Sequence, residues 1–160
     1  MDQQEMMLKL ILTAWNGQIT AAGKLFNGLT DDELDYEVAP NRNTGVYLLG
    51  HLTAVHDNLF TLLGLGERLY PELDQVFIFS PCKSGKARPV TNELRNYWNS
   101  VNEKLAGYFN RLSVDEWLQK HTNVSDEDIA KEPHRNRLNV LLSRTNHLAN
   151  HIGQLTFLKK

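Results

Sequence analysis

Four segments of this 160-residue chain carry apolar residues at intervals of three and four, the spacing that defines one face of an α-helix. They span residues 7–25, 46–63, 94–108 and 138–155. An amphipathic helix must bury its apolar stripe against another element. The pattern therefore predicts an all-α fold, a four-helix bundle in which residues 1–160 form a single domain.

The stretch between residues 70 and 90 breaks this periodicity and separates the second predicted helix from the third. It is interrupted by three prolines and a glycine: Pro71, Pro81, Gly85 and Pro89. An apolar island at residues 76–79 either pairs as a short strand or covers the core, and we favour the second alternative. The sequence predicts a long crossover connection on the outside of the bundle.

Two short capping-box patterns predict additional helical turns outside the four long helices. In each pattern a hydroxyl residue is followed three positions later by a glutamate, as in Thr30 to Glu33 and Ser113 to Glu116. Such a pair satisfies two backbone N–H groups at a helix start. We expect a short helix to begin at each of these positions.

Charge and cysteine content exclude several classes of protein. The net charge of −2 gives no basic excess for nucleic-acid binding. The sequence contains no run of 18 apolar residues, so it predicts no membrane span. The acidic start of the chain is unlike a secretory signal. A single cysteine, Cys82, rules out an internal disulfide and is typical of a reducing compartment. We therefore expect a cytoplasmic protein.

Two histidines lie four residues apart on the fourth predicted helix, His147 and His151. Four residues of helix turn through about 400° and rise about 6 Å, so both imidazoles leave one face, one turn apart. His51 lies in the middle of the second predicted helix. If these helices face each other, three ring nitrogens can hold one metal ion and leave a position open, as catalytic metal sites require.

Each histidine also has a simpler interpretation. A pair at this spacing arises by chance, and a lone histidine on an apolar helix such as His51 is often a hydrogen-bonded core residue. We favour a shared metal site because three polar rings near one core need a common reason to be there. The remaining histidines are interpreted as surface or loop residues: His56, His121 and His134.

Three further polar residues share a face with these histidines. Arg144 precedes His147 by three residues and either binds a substrate carboxylate or phosphate, or is a solvated arginine on a helix edge. Asn58 follows His51 by seven residues on the same face. Tyr47 precedes His51 by four and is either a proton donor or a tyrosine at the core edge.

The sequence resembles the DinB/YfiT-like superfamily over nearly its whole length. The resemblance is carried by the second helix centre, Leu49-Gly50-His51-Leu52, and by the pattern His147-x-x-x-His151-x-x-Gln154 on the last helix. Trp15 on the first helix, an Asn-Thr start to the second and the long connection before the third also match.

This resemblance implies a fold and a site. The fold is an up-down-down-up four-helix bundle, frequently a homodimer. The site holds a divalent metal ion, zinc or nickel, with His51, His147 and His151 as ligands and Gln154 as a polar group beside them. Three imidazoles also accept copper, iron and cobalt.

Similar proteins include transferases and isomerases that use a low-molecular-weight thiol. This implies a small-molecule substrate and a metal-dependent enzyme, with thiol transfer first and hydrolysis second, because a divalent ion activates a coordinating thiol or water. Leu148 follows His147, so the glutamate of the His-Glu-x-x-His protease motif is absent. The alternatives are a non-catalytic bundle that binds metal or a partner, and a bundle whose histidines are purely structural.

Overall fold

A computed structural model describes residues 2–159, and within this range it contains helices and two isolated backbone bridges but no strand. The predicted all-α class is confirmed. The helices are α1 (Gln3–Gly28), α2 (Asp31–Asp35), α3 (Gly45–Asp57), α4 (Leu59–Leu62), α5 (Asp74–Phe77), α6 (Thr91–Phe109), α7 (Val114–Leu118), α8 (Asp126–Lys131) and α9 (Arg137–Leu155). Short 3₁₀ turns occupy Pro71–Leu73 and Thr156–Leu158.

The four helices that follow the predicted segments pack in pairs. α1 lies along α9, α3 lies along α6, and further contacts join α1 to α6 and α3 to α9. Ten of the thirteen residues of α3 are buried, whereas the other three helices each bury a narrower stripe. α3 is therefore the most enclosed of the four.

The predicted capping boxes are confirmed at both positions. Glu33 accepts a hydrogen bond from the Thr30 backbone N–H at 2.7 Å, and the Thr30 hydroxyl accepts one from the Glu33 N–H at 3.2 Å. Ser113 and Glu116 form the same pair at the start of α7. These contacts satisfy N–H groups that the first turn of a helix leaves free.

The connection between residues 70 and 90 covers the core and does not form a strand. Its 3₁₀ turn leads into α5, where Phe77 is fully buried while Ile78 and Phe79 are exposed. The Phe77 ring lies on Gly50 of α3, where a Cβ atom would stand 2.3 Å from ring atom Cε1. Only glycine permits this approach, which brings α5 onto α3 one residue before His51.

One predicted boundary differs from the structure. The second helix was expected to run without a break from residue 46 to 63, but Asn58 interrupts it and separates α3 from α4. Gly64 and Gly66 end this region with φ angles of 65° and 142°, which favour glycine. Among the residues that the structure describes, no helix is both long and apolar enough to cross a membrane.

Candidate metal centre

α3 and α9 bring the three candidate histidines to one place. The Nε2 atoms of His51 and His147 lie 3.4 Å apart, and those of His147 and His151 lie 3.1 Å apart. One ring nitrogen from each residue lies within 4.8 Å of the other two. All three side chains are half-buried, so the cluster lies at the edge of the core.

The spacing of these nitrogens fits a shared metal ion. Zinc–nitrogen bonds are about 2.0–2.1 Å long, so two ligands at the tetrahedral angle stand about 3.3 Å apart. The Nε2–Nε2 distances from His147 to His51 and to His151, 3.4 and 3.1 Å, lie on either side of this value. Two neutral imidazoles that both present lone pairs at this distance repel each other, and a bound cation removes that repulsion.

Hydrogen bonds fix the tautomers of two of the rings. His51 Nδ1 lies 2.9 Å from the Phe77 carbonyl oxygen, and His151 Nδ1 lies 2.8 Å from Gln154 Oε1. Both partners can only accept, so Nδ1 carries the proton and Nε2 keeps its lone pair for a metal. Such outer contacts orient metal-binding histidines and raise their basicity. Gln154 thus lies beside the cluster, where the resemblance had implied a polar group.

Burial favours the neutral form of His51 and His147. It lowers the pKa of His147 to about 4, with smaller contributions from His151, His51 and Arg144. Burial also lowers the pKa of His51, and the hydrogen bond to the Phe77 carbonyl opposes this shift only in part. Metal ligands must be deprotonated, so both rings are in the binding form at neutral pH.

Arg144 is a half-buried cation beside the cluster. Burial lowers the pKa of its guanidinium, and its charge lowers the pKa of both His51 and His147. Its Nε atom is buried without a hydrogen-bond partner among residues 2–159. The same holds for Nδ1 of His147. Two buried nitrogen atoms without a hydrogen-bond partner among the described residues therefore lie three residues apart on one face of α9.

Tyr47 lies beside His51, but its hydroxyl proton is engaged with a backbone carbonyl of the 70–90 connection. Its hydroxyl donates to the Ser80 carbonyl oxygen at 2.8 Å, and its ring is parallel to the His51 ring at a centroid distance of 6.2 Å. Burial raises the pKa of this hydroxyl, so it stays protonated. In this structure Tyr47 links the start of α3 to the 70–90 connection.

The structure does not bring Asn58 to the histidines. Its side chain is exposed and accepts a hydrogen bond from the Thr61 hydroxyl at 3.2 Å. Seven residues of helix place it about 10 Å along the axis from His51, beyond hydrogen-bond reach. The neighbouring Asp57 is fully buried and forms an ion pair with Arg68, whose Nε lies 3.0 Å from Asp57 Oδ2.

The interpretation of His56 as a surface residue was wrong. Its ring is fully buried between Trp15 and Trp98, at centroid distances of 4.8 and 5.0 Å. Nδ1 donates to Asn102 Oδ1 at 2.8 Å, and burial lowers the pKa of the ring to about 3. The error arose because α3 is buried on nearly all sides. A residue on a different face of this helix from His51 is therefore not exposed to solvent.

Two contributors to the site were missed by sequence reasoning. The Phe77 carbonyl is a backbone acceptor, which has no signature in a sequence. The Asn-Thr start of the second helix was recognised in the sequence, but the loop before it, residues 38–43, also lines a cleft of about 490 Å³ together with His151 and Gln154. The paired asparagines Asn41 and Asn43 around Arg42 were the available signal, because such a polar loop beside a site offers several hydrogen-bonding groups.

Comparison with known families agrees with the geometry. The sequence model of the DinB superfamily matches residues 16–155, a range that contains all three histidines and Gln154. A comparison with curated proteins finds no match to the chain. Because the family match covers most of the sequence, this protein belongs to the DinB superfamily.

Proposed function

We propose that this protein is a divalent-metal-dependent enzyme that acts on a small molecule, with zinc or nickel held by Nε2 of His51, His147 and His151. One observation carries the proposal: three Nε2 atoms converge while hydrogen bonds hold the Nδ1 protons of two rings on the far side. Neutral imidazoles suit both metals. The scaffold is the up-down-down-up four-helix bundle that the family resemblance implies.

The number of ligands supports a catalytic role over a purely structural one. Structural zinc sites have four protein ligands, whereas catalytic sites have three and leave a position for water or substrate. The group of candidate ligands within residues 2–159 contains three residues. When bound there, a divalent ion lowers the pKa of a coordinating thiol or water and so supplies a nucleophile near neutral pH.

The surrounding residues favour thiol transfer over hydrolysis. Hydrolysis by an activated water commonly uses a carboxylate or histidine as general base. The buried carboxylate nearest in sequence to His51, Asp57, accepts from Arg68 and from the backbone N–H groups of Leu69 and Tyr70. A thiol that ionises on coordination needs no such base. We propose that Arg144 contributes positive charge toward the thiolate or toward a substrate anion.

The test compares two reactions on one metal-loaded preparation. Turnover of an electrophile that requires both metal and a low-molecular-weight thiol supports the transferase. Metal-dependent cleavage of esters or amides without thiol supports the hydrolase. One bound metal with neither reaction supports the non-catalytic binding protein. His151→Ala should abolish either activity, whereas the matched control His134→Ala, at an exposed position on the segment before α9, should not.

A further inference from the structure

We infer that the cleft beside His151 is the substrate-binding cleft and that it selects small molecules with a negatively charged group, which Arg42 binds. The inference rests on the proposed metal-dependent function and adds the chemical class of the substrate. The cleft lies between the loop at residues 38–43 and the end of α9, where His151, Gln154 and Phe157 line it.

The size of this cleft and the presence of His151 in its lining link it to the candidate metal site. Its volume of about 490 Å³ falls within the range of small-molecule sites, about 300–1,000 Å³. His151 and its hydrogen-bond partner Gln154 both line it, so a molecule in the cleft is in reach of one of the three candidate ligands. Two larger clefts, of about 640 and 730 Å³, are lined by none of the three histidines.

The lining of the cleft carries one permanent charge, and it is positive. Arg42 lies among the amide side chains of Asn41, Asn43 and Gln154, and no carboxylate lines the cleft. Within residues 2–159 the Arg42 side chain has no hydrogen bond or ion pair assigned to it. The acid of the same loop, Glu37, is neutralised by an ion pair with Lys83 and by the Asn41 backbone N–H at 2.7 Å.

The metal-binding cluster adds to this positive field. Metal-bound imidazoles are neutral, so three of them would leave the charge of a divalent ion uncompensated, and Arg144, three residues before His147, adds a further positive charge. Charge interactions are strong where water is partly excluded. A substrate with one metal-coordinating atom and one anionic group would therefore find a favourable partner for each, the ion held by the histidines and Arg42.

The loop that carries Arg42 is fixed by its own hydrogen bonds. The Val38 N–H donates to the Asn43 carbonyl oxygen, and the Arg42 N–H donates to that of Ala39, each at 3.0 Å. A backbone bridge between Glu37 and Thr44 closes the loop at its base. The cation is therefore presented on a preformed turn, and the binding energy is not spent on ordering the loop.

An exposed aromatic ring forms the apolar part of the same cleft. Phe157 is 77% exposed and lines the cleft beyond Gln154. An aromatic ring in this position offers a large apolar contact area to a molecule bound in the cleft. The cleft thus fits an organic acid with an apolar body between its anionic group and its metal-coordinating atom.

The test measures binding of thiol acids to cobalt(II)-loaded protein by the sulfur-to-cobalt absorption band. Mercaptocarboxylates of two to six carbons are each compared with their primary amides, at low ionic strength. We expect the wild type to bind at least one acid about tenfold or more tightly than the corresponding amide. This ratio is the contribution of one charge-assisted hydrogen bond. Arg42→Gln should reduce that preference by about fivefold or more. Arg111→Gln, which removes an exposed arginine on Tyr108, should leave it unchanged.

The outcomes separate this inference from the proposed function. If thiols bind and Arg42→Gln retains the full preference for the acid, the substrate assignment is wrong while the metal function stands. If no thiol produces the absorption band, the thiol function fails, and the cleft is tested without metal. The same acids should then shift the NMR signals of the Asn41, Asn43 and Gln154 amides, more weakly in Arg42→Gln. Absence of these shifts, or equal affinity in the variant, overturns the inference.

Discussion

His51 and His56 lie five residues apart on the same helix and have opposite environments. His51 is half-buried, with Nδ1 held by the Phe77 carbonyl and Nε2 directed at two other histidines. His56 is fully buried between two indole rings, with Nδ1 held by Asn102. Both rings have a lowered pKa, so neither titration nor residue type distinguishes a metal ligand from a core residue.

The difference lies in what surrounds the second nitrogen of each ring. Around His51 Nε2 lie ring nitrogens of His147 and His151, and a cation can bind the lone pairs of all three. His56 Nε2 is buried with no hydrogen-bond partner among the described residues, while Trp15 and Trp98 pack against the ring at angles of 42° and 37°. The same helix thus supplies one residue to the site and another to the packing that holds the helix in place.

The largest expected effect is on folding stability at His56. His56→Ala removes a ring between Trp15 and Trp98 and leaves Asn102 without its partner, so we expect a loss of about 2–4 kcal/mol in the free energy of unfolding. His51→Ala in metal-free protein should lose only about 1 kcal/mol. Urea unfolding of both variants, without metal, measures the contrast, and equal losses would remove the distinction drawn here.

Gly50→Ala tests whether the contact of α5 on α3 positions His51. The added methyl would stand 2.3 Å from the Phe77 ring, so α5 must move, with a loss of about 1–3 kcal/mol and weaker metal binding. The matched control is Gly107→Ala in α6, where nothing lies within 4 Å of the new Cβ. It should be neutral or slightly stabilising, since alanine favours helix. Unchanged metal affinity in Gly50→Ala would show that Phe77 does not orient His51.

Gln154→Ala tests the orientation of His151. The variant loses the hydrogen bond of 2.8 Å to Nδ1, and we expect zinc affinity to fall by about tenfold or more. Gln154→Glu keeps an acceptor at this position and should retain most of the affinity. Competition with a chromophoric chelator measures both. Equal weakening by the two substitutions would mean that the amide acts through packing instead.

The most gradual effect is a pH dependence of stability to which the buried histidine contributes. In the folded state burial holds the pKa of His56 at about 3, whereas in the unfolded chain it is about 6.5. The unfolded state binds more protons between these values, so stability falls as the pH drops below about 6.5 and is fully present above it.

Substitution of His56 tests whether this residue causes the dependence of stability on pH. One such group contributes up to about 1.4 kcal/mol per pH unit. Metal-free His56→Gln should therefore have a slope between pH 4.5 and 6.5 that is about 1 kcal/mol per unit shallower than in the wild type. Urea unfolding across this range gives the value. A slope that stays the same would place the responsible proton on another residue.

Much of the scaffold follows from local patterns, and the errors occur where tertiary contacts decide. The intervals of three and four predicted α1, α6 and α9 because each buries one stripe, and the capping boxes at Thr30 and Ser113 are local chemistry. The convergence of His51 with the α9 histidines was predictable only on the condition that α3 faces α9. The burial of His56 was not, since α3 is enclosed on nearly all sides and shows no polar face.

The outer contacts of the site illustrate the same limit. Gln154 lies one turn from His151, so helical spacing places it correctly. The Phe77 carbonyl reaches His51 from 26 residues away in sequence through a contact that depends on Gly50. Arg42 lies on a loop whose position beside His151 depends on how the end of α9 packs.

The most direct test of the account is the metal content of the purified protein, measured by elemental mass spectrometry after dialysis and without a metal-affinity tag. The wild type, the His51→Ala/His147→Ala variant and the His56→Gln variant are compared. The account predicts about one equivalent in the wild type and in His56→Gln, and none in the double variant. No metal in the wild type after zinc or nickel is added, or equal metal in all three proteins, would contradict a site at these histidines.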